Sequence, residues 1–113
     1  MHELSVIAGA LKIIERVMRE QGLTKVDTIV LQVGEFSGIV PSYLEEYFPA
    51  AVSHTRFEGA KLELEVLPGI ARCNACGAEF HAFEHGFICP ECEGKDIIPL
   101  SGREFLIKEI HAF

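Results

Sequence analysis

Four cysteines carry the clearest chemistry in this chain. They stand as Cys73-Asn74-Ala75-Cys76 and Cys89-Pro90-Glu91-Cys92, two CxxC pairs separated by twelve residues. In a tight CxxC turn both thiolates point at one spot. Two such turns facing each other supply four soft sulfur ligands in a tetrahedron, a donor set suited to Zn(II). Gly77 follows the first pair, where the turn needs a permissive backbone. A closed four-sulfur shell leaves no open coordination position, so a metal held this way supports structure and does no chemistry.

Other uses of the thiols have their own requirements. Disulfides belong to an oxidising compartment. A thioredoxin-like dithiol needs a single CxxC opening a helix after a strand, whereas here the pairs are duplicated and Pro90 and Gly77 signal turns. Four thiolates also suit iron in a rubredoxin-like site, which stays open as an alternative to zinc at this point.

A second donor set sits at the opposite end. A histidine near a chain terminus is more often frayed and solvated than a ligand. Met1-His2-Glu3 nonetheless brings together an amine, the amide nitrogen and imidazole of His2, and the amide of Glu3. These can close five- and six-membered chelate rings, and nitrogen donors in a plane favour Ni(II) or Cu(II). His81 and His85 lie between the cysteine pairs, but solvated histidines in a loop are common and the cysteines already satisfy a metal.

The elements that must position these groups are readable from hydrophobic spacing. Leu4, Ile7, Leu11, Ile14 and Met18 form a helical stripe that Val6, Ala10, Ile13 and Val17 widen, and Gly22 is placed to end the helix. Lys25 to Val33 reads as a strand with Ile29, Leu31 and Val33 on one face. Lys61 to Leu67 alternates, with Leu62, Leu64 and Val66 opposite Lys61, Glu63 and Glu65. Pro41 to His54 starts as a helix, with Ser42 and Glu45 at capping-box spacing, and Pro49 should kink or shorten it. Phe105 to Ile110 is a third, less regular strand. Between the cysteine pairs, Phe80, Phe83, Phe87 and Ile88 offer a small apolar centre.

The expected fold is therefore α+β: a small three-stranded sheet covered by two helices, with a zinc-ribbon-like module inserted before the last strand. Residues 1–69 plus 100–113 would form one domain and residues 70–99 the inserted zinc-binding one. Hinges are expected at Leu67-Pro68-Gly69 and Leu100-Ser101-Gly102.

Composition sets limits on function. The 113 residues are 49% hydrophobic and 24% charged, the balance of a folded chain, and too few for two full independent cores. A net charge of -7 has the wrong sign for neutralising nucleic-acid phosphates or binding acidic membranes. Glu3, Lys12 and Glu15 interrupt the apolar run a signal peptide needs, so the expected location is cytoplasmic. Within the cysteine segment, Glu79, Glu84, Glu91, Glu93 and Asp96 outnumber Arg72 and Lys95, a face that could steer a basic partner.

Taken together, Met1-His2-Glu3 with its amphipathic helix, Val33-Gly34-Glu35-Phe36-Ser37-Gly38-Ile39-Val40-Pro41, Glu58-Gly59-Ala60-Lys61-Leu62 and the two cysteine pairs resemble the HypA/HybF hydrogenase maturation factors, small nickel metallochaperones. The match spans essentially the whole chain. The resemblance implies that nickel is bound at His2 with Met1 and the backbone around Glu3. It also implies structural zinc at Cys73, Cys76, Cys89 and Cys92, and nickel as transferable cargo. It implies no catalytic residues. The implied partners are a nucleotide-hydrolysing maturation protein, a GTPase or related ATPase, and the large subunit of a nickel-iron hydrogenase, with no nucleic acid and no membrane.

Three positions depart from the family pattern. The glycine after the second cysteine pair is displaced by one, as Cys92-Glu93-Gly94. Pro49 interrupts a helix. Glu35 is the one acidic residue offered after the first strand, which leaves the fourth nickel ligand open. The rival readings are a zinc-ribbon adaptor without a second metal and a rubredoxin-like iron protein.

Overall fold

The computed structural model describes residues 3–113, from Glu3 to Phe113. Helix α1 covers Glu3–Gln21, and its buried face is Ile7, Leu11, Ile14 and Met18, one residue every three or four as the period requires. Gly22 closes it at φ +68°, and Leu23 N–H bonds back to Met18 C=O at 2.9 Å. That is the six-to-one bond of a left-handed helix ending, which glycine adopts without steric cost.

Strand β1, Val26–Gly34, is the centre of a three-stranded sheet. β2, Lys61–Leu67, pairs with it in parallel, Ile29 beside Leu62 and Leu31 beside Leu64. Helix α2, Pro41–Val52, is the crossover that parallel pairing requires. β6, Phe105–Ala112, pairs with β1 antiparallel on the other side. Its irregularity has a cause: the register slips between Val30 and Leu31, so that Glu109 faces Val30, Ile107 faces Leu31, and Lys108 is bulged. Strict alternation after Phe105 and Ile107 would turn Glu109 toward the core. The extra residue instead returns Ile110 and Ala112 to it.

Both helices lie on the face of Ile29, Leu31 and Val33, with Leu44, Phe48, Val52 and Phe57 completing the core. On the opposite face, Gln32 donates to Glu65 at 2.8 Å and Lys108 to Glu65 at 2.7 Å, a polar cover over the central strand.

Several expectations need correction. Helix α2 runs through Pro49 to Val52. Pro49 removes one backbone donor, but Leu44 and Phe48 before it and Val52 after it are all buried, and this anchorage outweighs the local break. Ser42 caps nothing: Val40 is the N-cap, its own side chain makes no capping bond, and Pro41 takes the first helical position. Leu4 and Ile13 are half exposed on opposite flanks of α1, Leu4 beside Ala50 and Ala51 of α2 and Ile13 beside Ile107 of β6.

The cysteine segment contains a sheet of its own. β3 (Ile70–Cys73) lies between β4 (Glu79–His81) and β5 (Ile97–Ser101), all antiparallel. Its core is Ala71, Cys73, Phe80, Ala82 and Cys89. Of the expected aromatics only Phe80 is inside. Phe83, Phe87 and Ile88 are exposed, and the Phe83 ring lies 4.8 Å from Phe87 and 5.6 Å from Phe36, in the short turn Glu35–Ser37 after β1.

The two sheets lie end to end. The molecule measures 54 × 26 × 18 Å with a radius of gyration of 17.5 Å, against about 13 Å for one compact body of this length. Three glycines occupy the waist. A Cβ on Gly34 would lie 2.1 Å from Gly102 O, one on Gly102 2.4 Å from Pro68 O, and one on Gly69 2.9 Å from the Phe36 ring. Phe36 N–H donates to Gly102 C=O and Gly34 N–H to Glu104 C=O, both at 2.7 Å, and Gly69 N–H donates to the Glu35 carboxylate at 2.6 Å.

Candidate metal centre

Each cysteine pair forms a tight turn outside any helix. In the first, Cys73 N–H donates to Ala78 C=O and Gly77 N–H to Cys73 C=O, both at 2.8 Å, with Gly77 at φ +79°. In the second, Glu93 N–H donates to Cys89 C=O at 2.8 Å and Cys89 N–H to Gly94 C=O at 2.9 Å. Glu93 takes φ +63°, the same left-handed conformation as Gly77. The turn is therefore retained without a glycine at that position, at a cost of about 1–2 kcal/mol for a residue carrying a Cβ.

The displaced glycine has a separate reason. A Cβ on Gly94 would lie 3.2 Å from Cys92 Sγ and 3.4 Å from Cys73 Sγ. The backbone at Gly94 passes against the sulfurs, and a hydrogen is all that fits comfortably. Spacing alone did not single out this residue, although its shift from the usual position was the available signal. Asn74 clamps the loop from outside, donating to Asp96 through its backbone at 2.9 Å and its side chain at 3.1 Å.

The four Sγ atoms lie within 4.8 Å of one another, with Cys73 3.5 Å from Cys92 and Cys76 3.6 Å from Cys89. Four thiolates at ~2.3 Å from one Zn(II) stand ~3.8 Å apart, so the spacing fits a tetrahedral ion. Cys73 and Cys89 are buried and Cys76 and Cys92 face solvent. No cysteine opens a helix, so the arrangement a thioredoxin-like dithiol needs is missing among the described residues.

The backbone N–H of Cys76, aided by that of Ala75 and by neighbouring thiols, holds the Cys73 thiol down at about 7 despite its burial. Gly94 N–H also pulls on Cys92, but the sulfurs of Cys73 and Cys76 outweigh it and push Cys92 up to about 12. Ala78 N–H acts on Cys76 in the same way and is likewise outweighed, chiefly by Cys89. Crowded thiols resist losing successive protons, and a divalent cation at the centre removes that resistance.

The other sequence candidates are placed as follows. Met1 and His2 lie outside the described residues. Glu3 is buried, 7% exposed, and its carboxylate accepts from Val40 N–H at 3.1 Å. The first residue of α1 thus satisfies an amide at the start of α2, a contact no sequence pattern announced. Glu35 serves the waist through Gly69. His81 lies 3.7 Å from Glu84 and His85 meets the Phe80 ring edge-on at 6.0 Å; neither joins the sulfur cluster.

A family model described as "Hydrogenase/urease nickel incorporation, metallochaperone, hypA" matches residues 1–112. The chain belongs to this family. Relatives named hydrogenase maturation factor HypA include one from Streptomyces avermitilis, 40% identical over 113 residues, covering 98% of this chain and 86% of the relative. Another, from Chlorobium limicola, is 36% identical over 110 residues, covering 97% and 95%. The solution structure of the Ni metallochaperone HypA from Helicobacter pylori superposes with a TM-score of 0.65 at 22% identity, covering 99% of this chain and 97% of that one, which establishes the shared fold. The four-cysteine cluster fits a structural zinc site, and the family's role is nickel incorporation during hydrogenase maturation.

Proposed function

We propose that this chain takes up Ni(II) at Met1, His2 and Glu3 as transferable cargo and passes it toward the large subunit of a nickel-iron hydrogenase, acting as a carrier without catalysis of its own. The observation that carries the reading is the family match, which begins at residue 1 and so includes the nitrogen donors. The buried Glu3 carboxylate adds support: it accepts from Val40 N–H, which ties the first described residue of α1 to the start of α2. Glu3 then contributes through its backbone, since its carboxylate serves Val40. Planar nitrogen ligation on a chain terminus can be dismantled one donor at a time, as cargo release requires, while the zinc cage keeps its ion.

The same reading places the protein in the cytoplasm, divides it into residues 1–69 plus 100–113 and an inserted unit 70–99, and pairs it with a GTPase or related ATPase of nickel maturation. Among the described residues no helix is long and apolar enough to cross a membrane. Nucleic acid and membrane are left out as partners on the strength of the acidic charge.

The test is a nickel titration of zinc-loaded, tag-free protein followed in the d-d absorption region. Ni(II) should bind with a planar signature, His2→Ala should abolish binding while zinc content and far-ultraviolet circular dichroism stay unchanged, and residues added before Met1 should weaken it. Full nickel binding by the His2→Ala variant would refute the assignment.

A further inference from the structure

The sulfur cage is lopsided. Cys76 and Cys92 face solvent and belong to different turns, while Cys73 and Cys89 are buried. The close contacts run between the turns: Cys92 Sγ lies 3.5 Å from Cys73 Sγ, and Cys76 Sγ lies 3.6 Å from Cys89 Sγ. Each joins one exposed sulfur to one buried sulfur across the cage. A thiol that ligates a divalent cation is deprotonated outright, and oxidation begins at the thiolate that solvent can reach. In this cage that is Cys76 or Cys92. The carboxylates of Glu91 and Glu93 on either side of Cys92 are exposed, a negative surrounding that favours a small neutral oxidant, a hydroperoxide.

We propose that the four-cysteine cage is also a peroxide-responsive modification site, in which the exposed sulfurs of Cys92 and Cys76 are oxidised and close disulfides with Cys73 and Cys89, so that the ion leaves while the two turns stay joined. The Cys92 thiolate attacks hydrogen peroxide: an S–O bond forms, the O–O bond breaks, sulfur gives two electrons to the peroxide and hydroxide leaves. The Cys73 thiolate then attacks Cys92 Sγ: the S–S bond forms, the S–O bond breaks and a second hydroxide leaves. Solvent protonates both. Cys76 and Cys89 repeat the sequence, so about two peroxides consume all four thiolates and leave Zn(II) without a ligand. Disulfide sulfurs stand ~2.05 Å apart, so each closure draws the turns together by only about 1.5 Å. This chemistry uses the sulfur cage alone and is independent of nickel at the other end.

The pairing decides what happens to the fold. Disulfides within the turns, Cys73–Cys76 and Cys89–Cys92, would leave neither bond nor ion linking one turn to the other. Across the turns, Cys73–Cys92 and Cys76–Cys89 span 19 and 13 positions and nest one inside the other, so both form in one molecule. A cross-link stabilises more as the loop it closes lengthens, so these two take over the tethering of β3, β4 and β5 from the ion. The core of the first sheet shares no residue with this cluster and keeps its packing in either state. Reduction by a dithiol returns four thiolates and a site that refills.

Treatment of the zinc-loaded, tag-free full chain with hydrogen peroxide tests this. Zinc release is read with a chromophoric chelator against the untreated chain, and the cysteines are mapped by alkylation, cleavage at Glu79, Glu84 and Glu91, and tandem mass spectrometry. All the zinc should be released for about two peroxides consumed. Dimedone present from the start should tag Cys76 and Cys92 ahead of Cys73 and Cys89. The end product should carry Cys73–Cys92 and Cys76–Cys89 and keep its far-ultraviolet circular dichroism, and dithiothreitol followed by Zn(II) should restore full metal content. Zinc retained in excess peroxide, a first sulfenate on a buried cysteine, disulfides within the turns, sulfinic acids in their place, or loss of the strand signal would each overturn the proposal.

Discussion

Gly94→Ala isolates the close approach of backbone to sulfur in the zinc centre. The new methyl would sit 3.2 Å from Cys92 Sγ, 3.4 Å from Cys73 Sγ and 3.8 Å from the Ala75 methyl. Two sulfurs, Cys73 and Cys92, are already only 3.5 Å apart, so neither can retreat without deforming the tetrahedron the ion requires. The backbone at Gly94 is not in the left-handed region, hence steric compression is the whole perturbation. Forcing one methyl into a filled site costs about 1–3 kcal/mol. Because zinc binding and folding of this segment are one equilibrium, a cost near the middle of that range lowers apparent zinc affinity by about thirtyfold. Competition against a chromophoric chelator measures it. Gly9→Ala is the control: the added Cβ meets nothing within 4 Å, the backbone is helical, and the residue lies in α1 away from the sulfurs. It should leave zinc affinity unchanged. Zinc affinity in Gly94→Ala equal to that of the parent would refute the reasoning.

The neighbouring residue predicts the opposite sign. Glu93→Gly relieves a left-handed non-glycine and should stabilise the zinc-bound segment by about 0.5 kcal/mol after the added freedom of the unfolded chain is subtracted, read as a higher midpoint in the same competition. Glu3→Ala should destabilise the fold by about 1–3 kcal/mol by leaving the Val40 amide without this acceptor, whereas Glu3→Gln keeps an acceptor oxygen and should retain nickel binding; denaturant unfolding and nickel titration separate the two. The Lys108 ammonium, with Gln32, holds the Glu65 carboxyl below its ordinary value of 4.5. A folded value below the unfolded one gives stability that is present above that range and lost as pH falls through it. An NMR titration should find Glu65 below 4.5, and Lys108→Gln should return it upward. Zinc and nickel affinity should both fall with acidification, since protons compete for thiolate, imidazole and amide donors; pH-independent titrations would contradict this.

The parts of the fold legible in the sequence are those set by local periodicity and local covalent spacing. The α1 stripe, its end at Gly22, the alternation of β2 and the convergence of four cysteines follow from residue types within one element or one turn. The irregularity of β6 was visible, but its cause was not, because a bulge is defined by the register of a strand 80 residues away. Pro49 misled because its local penalty is offset by burial of Phe48 and Val52, a tertiary effect. The small second sheet escaped notice because strands of three to five residues are too short to show alternation. Glu3 read as a flank of a metal site, and its bond to Val40 spans 37 positions. Phe83 and Phe87 counted as core by hydrophobicity alone, yet they stack outward over the waist.

Where the two sheets meet, main chain rests on main chain at Gly34 and Gly102, while Gly69 packs under the Phe36 ring and donates to the Glu35 carboxylate. The angle between the sulfur cage and the helical end is thus set largely by peptide geometry, with Glu35 and Phe36 as its side-chain braces. Residues away from this crossing can change without reorienting one end against the other. A single inserted or deleted residue in either crossing would swing the whole cysteine end to a new heading, so length, more than composition, is the inherited quantity in those two short segments.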